Sequence, residues 1–405
     1  MTTAAAEVPA ATGRAKARVG RVVIATINRE EGDTGVHTHT RMLAGGMRDA
    51  GVACDIISPF GGSKKWLPIF AVRPLVLHRV NRTWSTLWHR KFHLAALREN
   101  LMRQLAGDAT PDAVIAQCPV SAKAAIDVRD LLRAKFPIAM VCHFNGSEAT
   151  EYRDKGELAS SRHYQAMLDF EQNVLESVDR VIYVSNWARE NVEAVRGIRT
   201  KSSAVIWNGM SDEAAASSAI KRVNIGVRDD DLVIMNVGSL EPRKNQLGLI
   251  DLFAVVRDHF DKAKLVLVGD GPARDEIGQK IDEKHLADSV RLLGHRRDVS
   301  SLLPLADLYV HYANLENCPL VLIEAARAAL PIAAVPTGGV PELLDALDCK
   351  FEINPADGRG TLERLRPLLQ DAATRKDTGM RAQEAYRRTF TAAAMTRAYI
   401  DALTF

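Results

Sequence analysis

No stretch of this 405-residue chain approaches the roughly 18–20 uninterrupted apolar residues that cross a bilayer, so no membrane span is expected. Cysteine is scarce. Cys54, Cys118, Cys142, Cys318 and Cys349 are odd in number and never spaced Cys-x-x-Cys, which argues against a disulfide framework or a thiolate zinc site and favours a reducing compartment. An excess of either charge is also missing. Lys and Arg number 53 against 50 Asp and Glu, a formal +3, a balance that argues neither for nor against a nucleic-acid partner; none is expected. Residues 1–19 are rich in Ala and Arg but lack the apolar block of a signal peptide. They predict a disordered tail on a cytoplasmic protein.

What is present suits a globular chain: 47% hydrophobic and 25% charged residues. The length predicts two domains. Short β-branched runs alternate with helical segments: Arg21–Thr26, Ala53–Ile57, Ala113–Ala116, Ile138–Cys142, Arg180–Val184 and Ser203–Trp207. Composition shifts to Ala, Ser and charge over 211–224, read as a linker. The alternation then restarts at Leu232–Val237, Lys264–Val268, Val290–Leu293, Leu308–His311 and Pro331–Val335. The expected fold class is therefore α/β, with Rossmann-like domains over 20–210 and 225–385 facing across a cleft. A last helix within 386–405 can pack back on the N-terminal domain. In such sheets ligands bind beyond the carboxyl ends of the strands.

Two segments after strands carry the chemistry. In the first, Asp307 to Glu324, Glu316 lies in a loop, a helix begins near Pro319, and Glu324 follows eight positions after Glu316. A helix N-terminus offers unpaired N–H groups and partial positive charge to a diphosphate, and carboxylates around it can accept from sugar and ribose hydroxyls. The second, Val237-Gly-Ser-Leu-Glu-Pro-Arg-Lys244, places Arg243 and Lys244 between a strand and a helix, where they can clamp a leaving diphosphate. Asp229-Asp-Asp231 precedes its strand and is read as a solvated turn.

These segments resemble those of glycosyltransferase family 4, retaining enzymes of the GT-B fold with a Glu-x7-Glu motif. Glu316, Glu324 and the following Ala325 match its spacing, and Lys244 matches the lysine of Gly-Arg-Leu-x-x-x-Lys. Gly269-Asp-Gly271-Pro resembles the family's Gly-x-Gly-Pro turn, and Gly338-Gly-Val-Pro-Glu342 its later glycine loop. The resemblance implies transfer of a hexosyl unit from a nucleoside diphosphate sugar to a glycan or lipid-linked acceptor, in cell-surface polysaccharide or lipopolysaccharide synthesis. It implies that Glu316 contacts the donor sugar and Glu324 the ribose. Gly35, Ser239, Gly271, Asn317, Cys318, Pro319 and Leu320 would line the donor site, and His143, at a strand end, the acceptor side. Two departures stand out: Ser239 replaces the family arginine, leaving Arg243 as its substitute, and Asn317-Cys318-Pro319 replaces the commoner Gly-Phe-Gly. Pro319 has no N–H to offer a phosphate. A nucleotide-sugar epimerase and a catalytically inactive binding subunit of a glycan-assembly complex stay open as alternatives.

No metal or other cofactor is expected: His37 and His39 alone do not make a site. The stretch Arg79, Arg82, Trp84, Trp88, His89, Arg90, Lys91, Phe92, with Lys64 and Trp66 nearby, combines cations and aromatics. It suits either an anionic membrane surface or a tryptophan pair in the core beneath a charged outer face.

Overall fold

The computed structural model describes residues 19–32, 34–63, 65–72, 77–107, 110–212 and 220–404. All but Val19 of the expected tail lie outside these, as do Lys64 and residues 213–219 of the expected linker.

The first half holds six parallel strands: β1 (Arg21–Ala25), β2 (Ala53–Ile57), β3 (Ala113–Ala116), β4 (Ile138–Cys142), β5 (Arg180–Tyr183) and β6 (Ser203–Val205). Their order is β2-β1-β3-β4-β5-β6. The second half holds β7 (Leu232–Val237), β8 (Ala263–Val268), β9 (Val290–Leu292), β10 (Leu308–His311), β11 (Ile332–Ala334) and β12 (Phe351–Glu352). Their order is β12-β11-β10-β7-β8-β9. This is the doubly wound α/β fold expected. Central strands are buried on both faces and so read as unbroken apolar runs, as in Ile138-Ala-Met-Val-Cys142, all buried.

Strand order reverses at β1/β3 in the first sheet and at β7/β10 in the second. A crevice opens beyond the carboxyl ends of the strands at each such point. The loops after β7 and β10 carry Lys244 and Glu316, so the candidate residues stand at the crevice of the second sheet.

One apolar core runs through both halves. It joins Val22 and Ile24 of β1 and Leu43 of helix 35–49 to Tyr309 of β10 and to Met395 and Tyr399 of the last helix, Ala392–Ala402. That helix packs on helix 35–49 of the first half. A Cβ added at Gly46 would meet Thr396 Oγ1 at 2.0 Å, so the small residue sets how closely the two approach. Tyr386 anchors the return path, its hydroxyl donating to the Met210 and Ser211 carbonyls at 3.2 and 3.1 Å.

Candidate active site

The loop after β7 closes as a 3-10 turn, Pro242–Lys244, before helix Gln246–Arg257. Asn245 caps that helix, its Oδ1 accepting from Gly248 N at 3.2 Å. The turn delivers Lys244 and Arg243 to the crevice, where the loop after β10 brings Glu316. Lys244 Nζ and Arg243 both hold Glu316 Oε1, the guanidinium at 2.9 Å. Arg243 also holds Glu241 at 3.0 Å, and its carbonyl accepts from Asn314 N at 2.8 Å, tying the two loops together. Burial raises the Glu316 carboxyl, but Lys244 and Arg243 outweigh it and hold it below its ordinary value. Glu316 is a carboxylate at neutral pH.

Two glycines shape this loop. Gly338 has φ +59°, and a Cβ there would lie 2.1 Å from the Glu316 carbonyl oxygen. Gly339 donates its N–H to the same oxygen at 2.8 Å, and a Cβ on it would lie 1.9 Å from Asn317 O. The glycine loop thus packs on the backbone that carries Glu316. Gly271 behaves similarly on the other side, where a Cβ would lie 2.4 Å from Leu240 O. Its neighbour across this contact is the 238–240 loop holding exposed Ser239, whose carbonyl accepts from Gln246 Nε2 at 3.0 Å.

Beyond Glu316 the chain enters helix Leu320–Arg327 with Pro319 at its N-cap. Glu324 sits one turn in, half-buried, its carboxyl raised by burial against the opposing pull of Arg327. The helix start faces the first half: Leu320 Cδ1 lies 3.6 Å from where a Gly35 Cβ would be. Gly35 opens helix 35–49 directly after the β1 loop, so two helix N-termini meet across the cleft. Asn317 bridges the halves, its Nδ2 donating to Phe144 O at 2.6 Å and His143 O at 3.3 Å. Asn208 does the same through Nδ2 to Cys318 O at 3.0 Å, while its Oδ1 pairs with His39 Nδ1 at 2.9 Å. The Cys318 thiol is buried and pushed up to about 12, so it is no nucleophile at neutral pH.

The His143 side chain makes its contacts within the first half. Its Nε2 hydrogen-bonds Gln117 Oε1 at 2.8 Å, and its ring meets His39 edge-on at 4.8 Å. Burial and then the His39 neighbour hold it well below the usual histidine range, so it is neutral. His37 and His39 point to different partners, Thr34 Oγ1 at 2.6 Å and Asn208. Among the described residues, no group of three or more His, Cys, Asp and Glu side chains could hold a metal ion. Asp231 is buried and its Oδ2 accepts from Arg228 N at 2.7 Å. The Asp229–Asp231 turn is therefore partly an internal staple and not wholly solvated.

The sequence reading missed Glu151 and His311, and it gave Glu342 only as the end of the glycine loop. Glu342 of the second half accepts from Asn186 N, Asn186 Nδ2 and Trp187 N of the first, at 3.1, 2.9 and 3.0 Å. Glu151 accepts from Asn145 N at 2.7 Å and its charge bears on Arg243 from across the cleft. His311 closes β10 below Glu316, 1% exposed, with neither ring nitrogen hydrogen-bonded among the described residues. Burial lowers it to about 4.

His311 carries a stability prediction. With a folded value near 4 and an unfolded value near 6.5, its contribution is complete above 6.5 and is lost as pH falls towards 4. His39, also near 4, acts in the same direction. Glu171, raised to about 7 chiefly by burial, acts in the opposite one. The difference between wild type and His311→Leu isolates the first group. The leucine loses no hydrogen bond, and from pH 6.5 to 5 the variant should gain about 1.6 kcal/mol on wild type, the slope building towards about 1.4 per pH unit as the unfolded histidine becomes fully protonated. Denaturant melts at the two pH values measure it, and a constant difference would refute the assignment.

The basic aromatic stretch divides. Trp84 is 65% exposed and Val80 79%, with Arg79, Arg82 and Lys91 also outward. Trp88 is half-buried, its Nε1 donating to Ile69 O at 3.2 Å, and it packs on Phe92. Arg90 is buried and paired with Glu148. Trp84 and Trp88, four residues apart on one helix, therefore stand in different environments. No helix among the described residues is long and apolar enough to cross a membrane.

Comparison with known proteins bears on the family and the fold. Residues 34–214 match the model of Glycosyltransferase Family 4, and residues 217–385 that of Glycosyl transferases group 1. N-acetyl-alpha-D-glucosaminyl L-malate synthase of Bacillus anthracis is 30% identical over 39% of this chain and 42% of its own length. The lipopolysaccharide core biosynthesis glycosyltransferase LpsD of Rhizobium meliloti is 28% identical over 46% of this chain and 54% of its own. The matched stretch thus spans about half or less of these relatives. Anabaena Alr3699/HepE, solved with UDP-glucose, superposes with a TM-score of 0.69 at 18% identity, covering 95% of this chain and 99% of that one, and so shares the fold. With a family model matching each half and the GT-B arrangement shared throughout, the chain belongs to the glycosyltransferases of family 4 and group 1.

Proposed function

We propose that this protein transfers a hexosyl unit, with retention at the anomeric carbon, from a nucleoside diphosphate sugar to a hydroxyl of a glycan or lipid-linked acceptor in cell-surface polysaccharide or lipopolysaccharide synthesis. The observation that carries this is the Lys244–Arg243–Glu316 cluster at the strand-order reversal of the second sheet, whose loop leads into Leu320 opposite Gly35. The UDP-glucose complex of Alr3699/HepE supports the donor class, and LpsD supports the acceptor class.

Breaking the bond from the anomeric carbon to the diphosphate oxygen leaves the electron pair on the diphosphate, while the acceptor hydroxyl oxygen bonds to that carbon and its proton passes to the departing diphosphate. Lys244, Arg243 and the free N–H groups opening helix Leu320–Arg327 stand where that charge grows. As the diphosphate draws the two cations, Glu316 is freed to accept from sugar hydroxyls. Glu324 takes the ribose. Asn317 and Cys318 offer backbone N–H groups, Pro319 none. Neutral His143 lines the acceptor side as a hydrogen-bonding wall.

The test is nucleoside diphosphate release from a panel of uridine and guanosine diphosphate sugars, with and without saccharide acceptors, in excess EDTA. Release should rise with acceptor and persist under chelation, because fixed cations supply the neutralising charge. Complete loss in EDTA with recovery on adding magnesium or manganese would show that the phosphate clamp is misassigned. Epimerised sugar nucleotide without transfer would replace the reading by an epimerase.

We further propose that Trp84, Val80, Arg79 and Arg82 rest on the cytoplasmic face of an anionic membrane. The protein should float with anionic vesicles and lose binding as salt rises, since charges are screened beyond about 8–10 Å at physiological ionic strength. Equal flotation with neutral vesicles would refute this surface.

A further inference from the structure

The loop after β4, residues 143–147, is fixed from within the first half. Gly146 turns it at φ +77°, its N–H donating to Phe144 O at 3.1 Å. Arg196 holds the Gly146 carbonyl at 2.7 Å, and Glu151 accepts from Asn145 N at 2.7 Å. Glu171, fully buried, accepts from Ser147 Oγ at 2.9 Å and Ala149 N at 2.6 Å. The Phe144 side chain is buried in the apolar core of that half.

Asn317 fastens the second half to this loop. It is 4% exposed, and its Nδ2 donates to Phe144 O at 2.6 Å and to His143 O at 3.3 Å. The amide cannot be reversed, because Oδ1 would then face two carbonyl oxygens. As it stands, Oδ1 is buried with no partner among the described residues, a cost that only the two Nδ2 bonds offset. Glycine, the commoner residue here, would donate neither bond. Two more bonds from the first half end on the same stretch of backbone or beside it. Asn208 reaches Cys318 O at 3.0 Å, and Glu342, in the helix Val340–Ala346 that follows the glycine loop, accepts from Asn186 N and Trp187 N.

Glu316 is the residue before Asn317, with about 3.8 Å between their Cα atoms. Both carbonyls pack on Gly339: that of Glu316 accepts its N–H at 2.8 Å, and that of Asn317 lies 1.9 Å from where a Cβ would be. A displaced Asn317 therefore carries the Glu316 backbone with it.

We infer that the Asn317 side chain is a positioning residue, which sets the Glu316 carboxylate from the fixed loop of the opposite half before any donor binds. The inference rests on the glycosyltransferase reading. The experiment compares wild type with Asn317→Gly on UDP-glucose, UDP-galactose, UDP-N-acetylglucosamine and GDP-mannose, with saccharide acceptors present. Nucleotide release gives kcat, and calorimetric titration with UDP and GDP gives affinity. The variant should lose at least about tenfold in kcat, since misplaced positioning groups act on the reacting geometry. UDP and GDP carry no sugar for Glu316 to hold, so the affinity of whichever binds should stay within about twofold. Unchanged kcat, or equal losses in kcat and nucleotide affinity, would overturn the role. Hydrogen exchange on wild type without nucleotide does not depend on the variant's folding. The amides of Gly339, Asn145 and Ala149 should exchange slowly, and rapid exchange at Gly339 would overturn the anchor. Release from none of the four donors by wild type would overturn the glycosyltransferase reading and this role with it, whereas an active wild type matched by the variant would overturn the role alone.

Discussion

Lys244→Ala is expected to lower turnover by on the order of 10²–10³ while the protein stays folded. The fold should survive because Glu316 keeps Arg243 at 2.9 Å, so no buried carboxylate is left uncompensated. Catalysis should not survive at its former rate. The Lys244 ammonium is held by Glu316 and is 17% exposed at the crevice. A diphosphate that gains charge as the sugar departs competes for it more strongly in the transition state than in the ground state. The loss should therefore fall mainly on kcat, with donor affinity moving less. Arg243→Ala should cost less, since that guanidinium is 39% exposed and shared with Glu241. Steady-state kinetics with varied donor, beside a thermal melt, make the measurement. A folded Lys244→Ala enzyme with near wild-type kcat would remove this residue from the mechanism.

Lys244 and Glu316 were legible because each depends on local pattern. Both follow an apolar strand and precede a helix, and both are residue types that serve a diphosphate sugar. The strands themselves were legible for a related reason: a strand buried on both faces must be apolar along its length, as β4 is. Phe351–Glu352 is a strand of two residues, too short for any period to show, and it went unread. Gln117 went unread, and the contacts of Asn208 and Glu342 were not foreseen, for another reason. Each is a single polar residue whose partner lies far along the chain: Asn208 with Cys318, Gln117 with His143, Glu342 with Asn186 and Trp187. Packing of one half on the other creates the first and third of these pairs, and the pairing of β3 with β4 creates the second. Arg90 shows the converse error. Its neighbours in sequence are cationic and aromatic, yet Glu148, brought in by another helix, turns it inward. Helical spacing gives the face of a residue, whereas burial of that face is decided by what packs against it, here the segment Trp66–Val72 over Trp88.

Gly338→Ala should lower turnover by on the order of 10², though residue 338 offers no side chain to any substrate. Its φ of +59° is a conformation that alanine adopts at a cost of about 1–2 kcal/mol. The larger effect is steric. The new Cβ would lie 2.1 Å from the Glu316 carbonyl oxygen and 3.2 Å from Leu315 Cδ1. Backbone cannot swing aside as a flexible side chain can, so one of the two loops must retreat by about 1 Å to restore contact distance. A shift of that size in a group that positions substrate costs about 10²-fold. The Gly339 N–H bond to the same oxygen, now 2.8 Å, would lengthen with it. The damage should appear in kcat and in the melting temperature together, unlike that of Lys244→Ala. Gly45→Ala provides the control. Gly45 is inside helix 35–49, and a Cβ there meets nothing within 4 Å. That variant should keep wild-type kcat and gain about 0.5–1 kcal/mol of stability. If Gly338→Ala matches the control in both measurements, the glycine loop does not hold Glu316 in place.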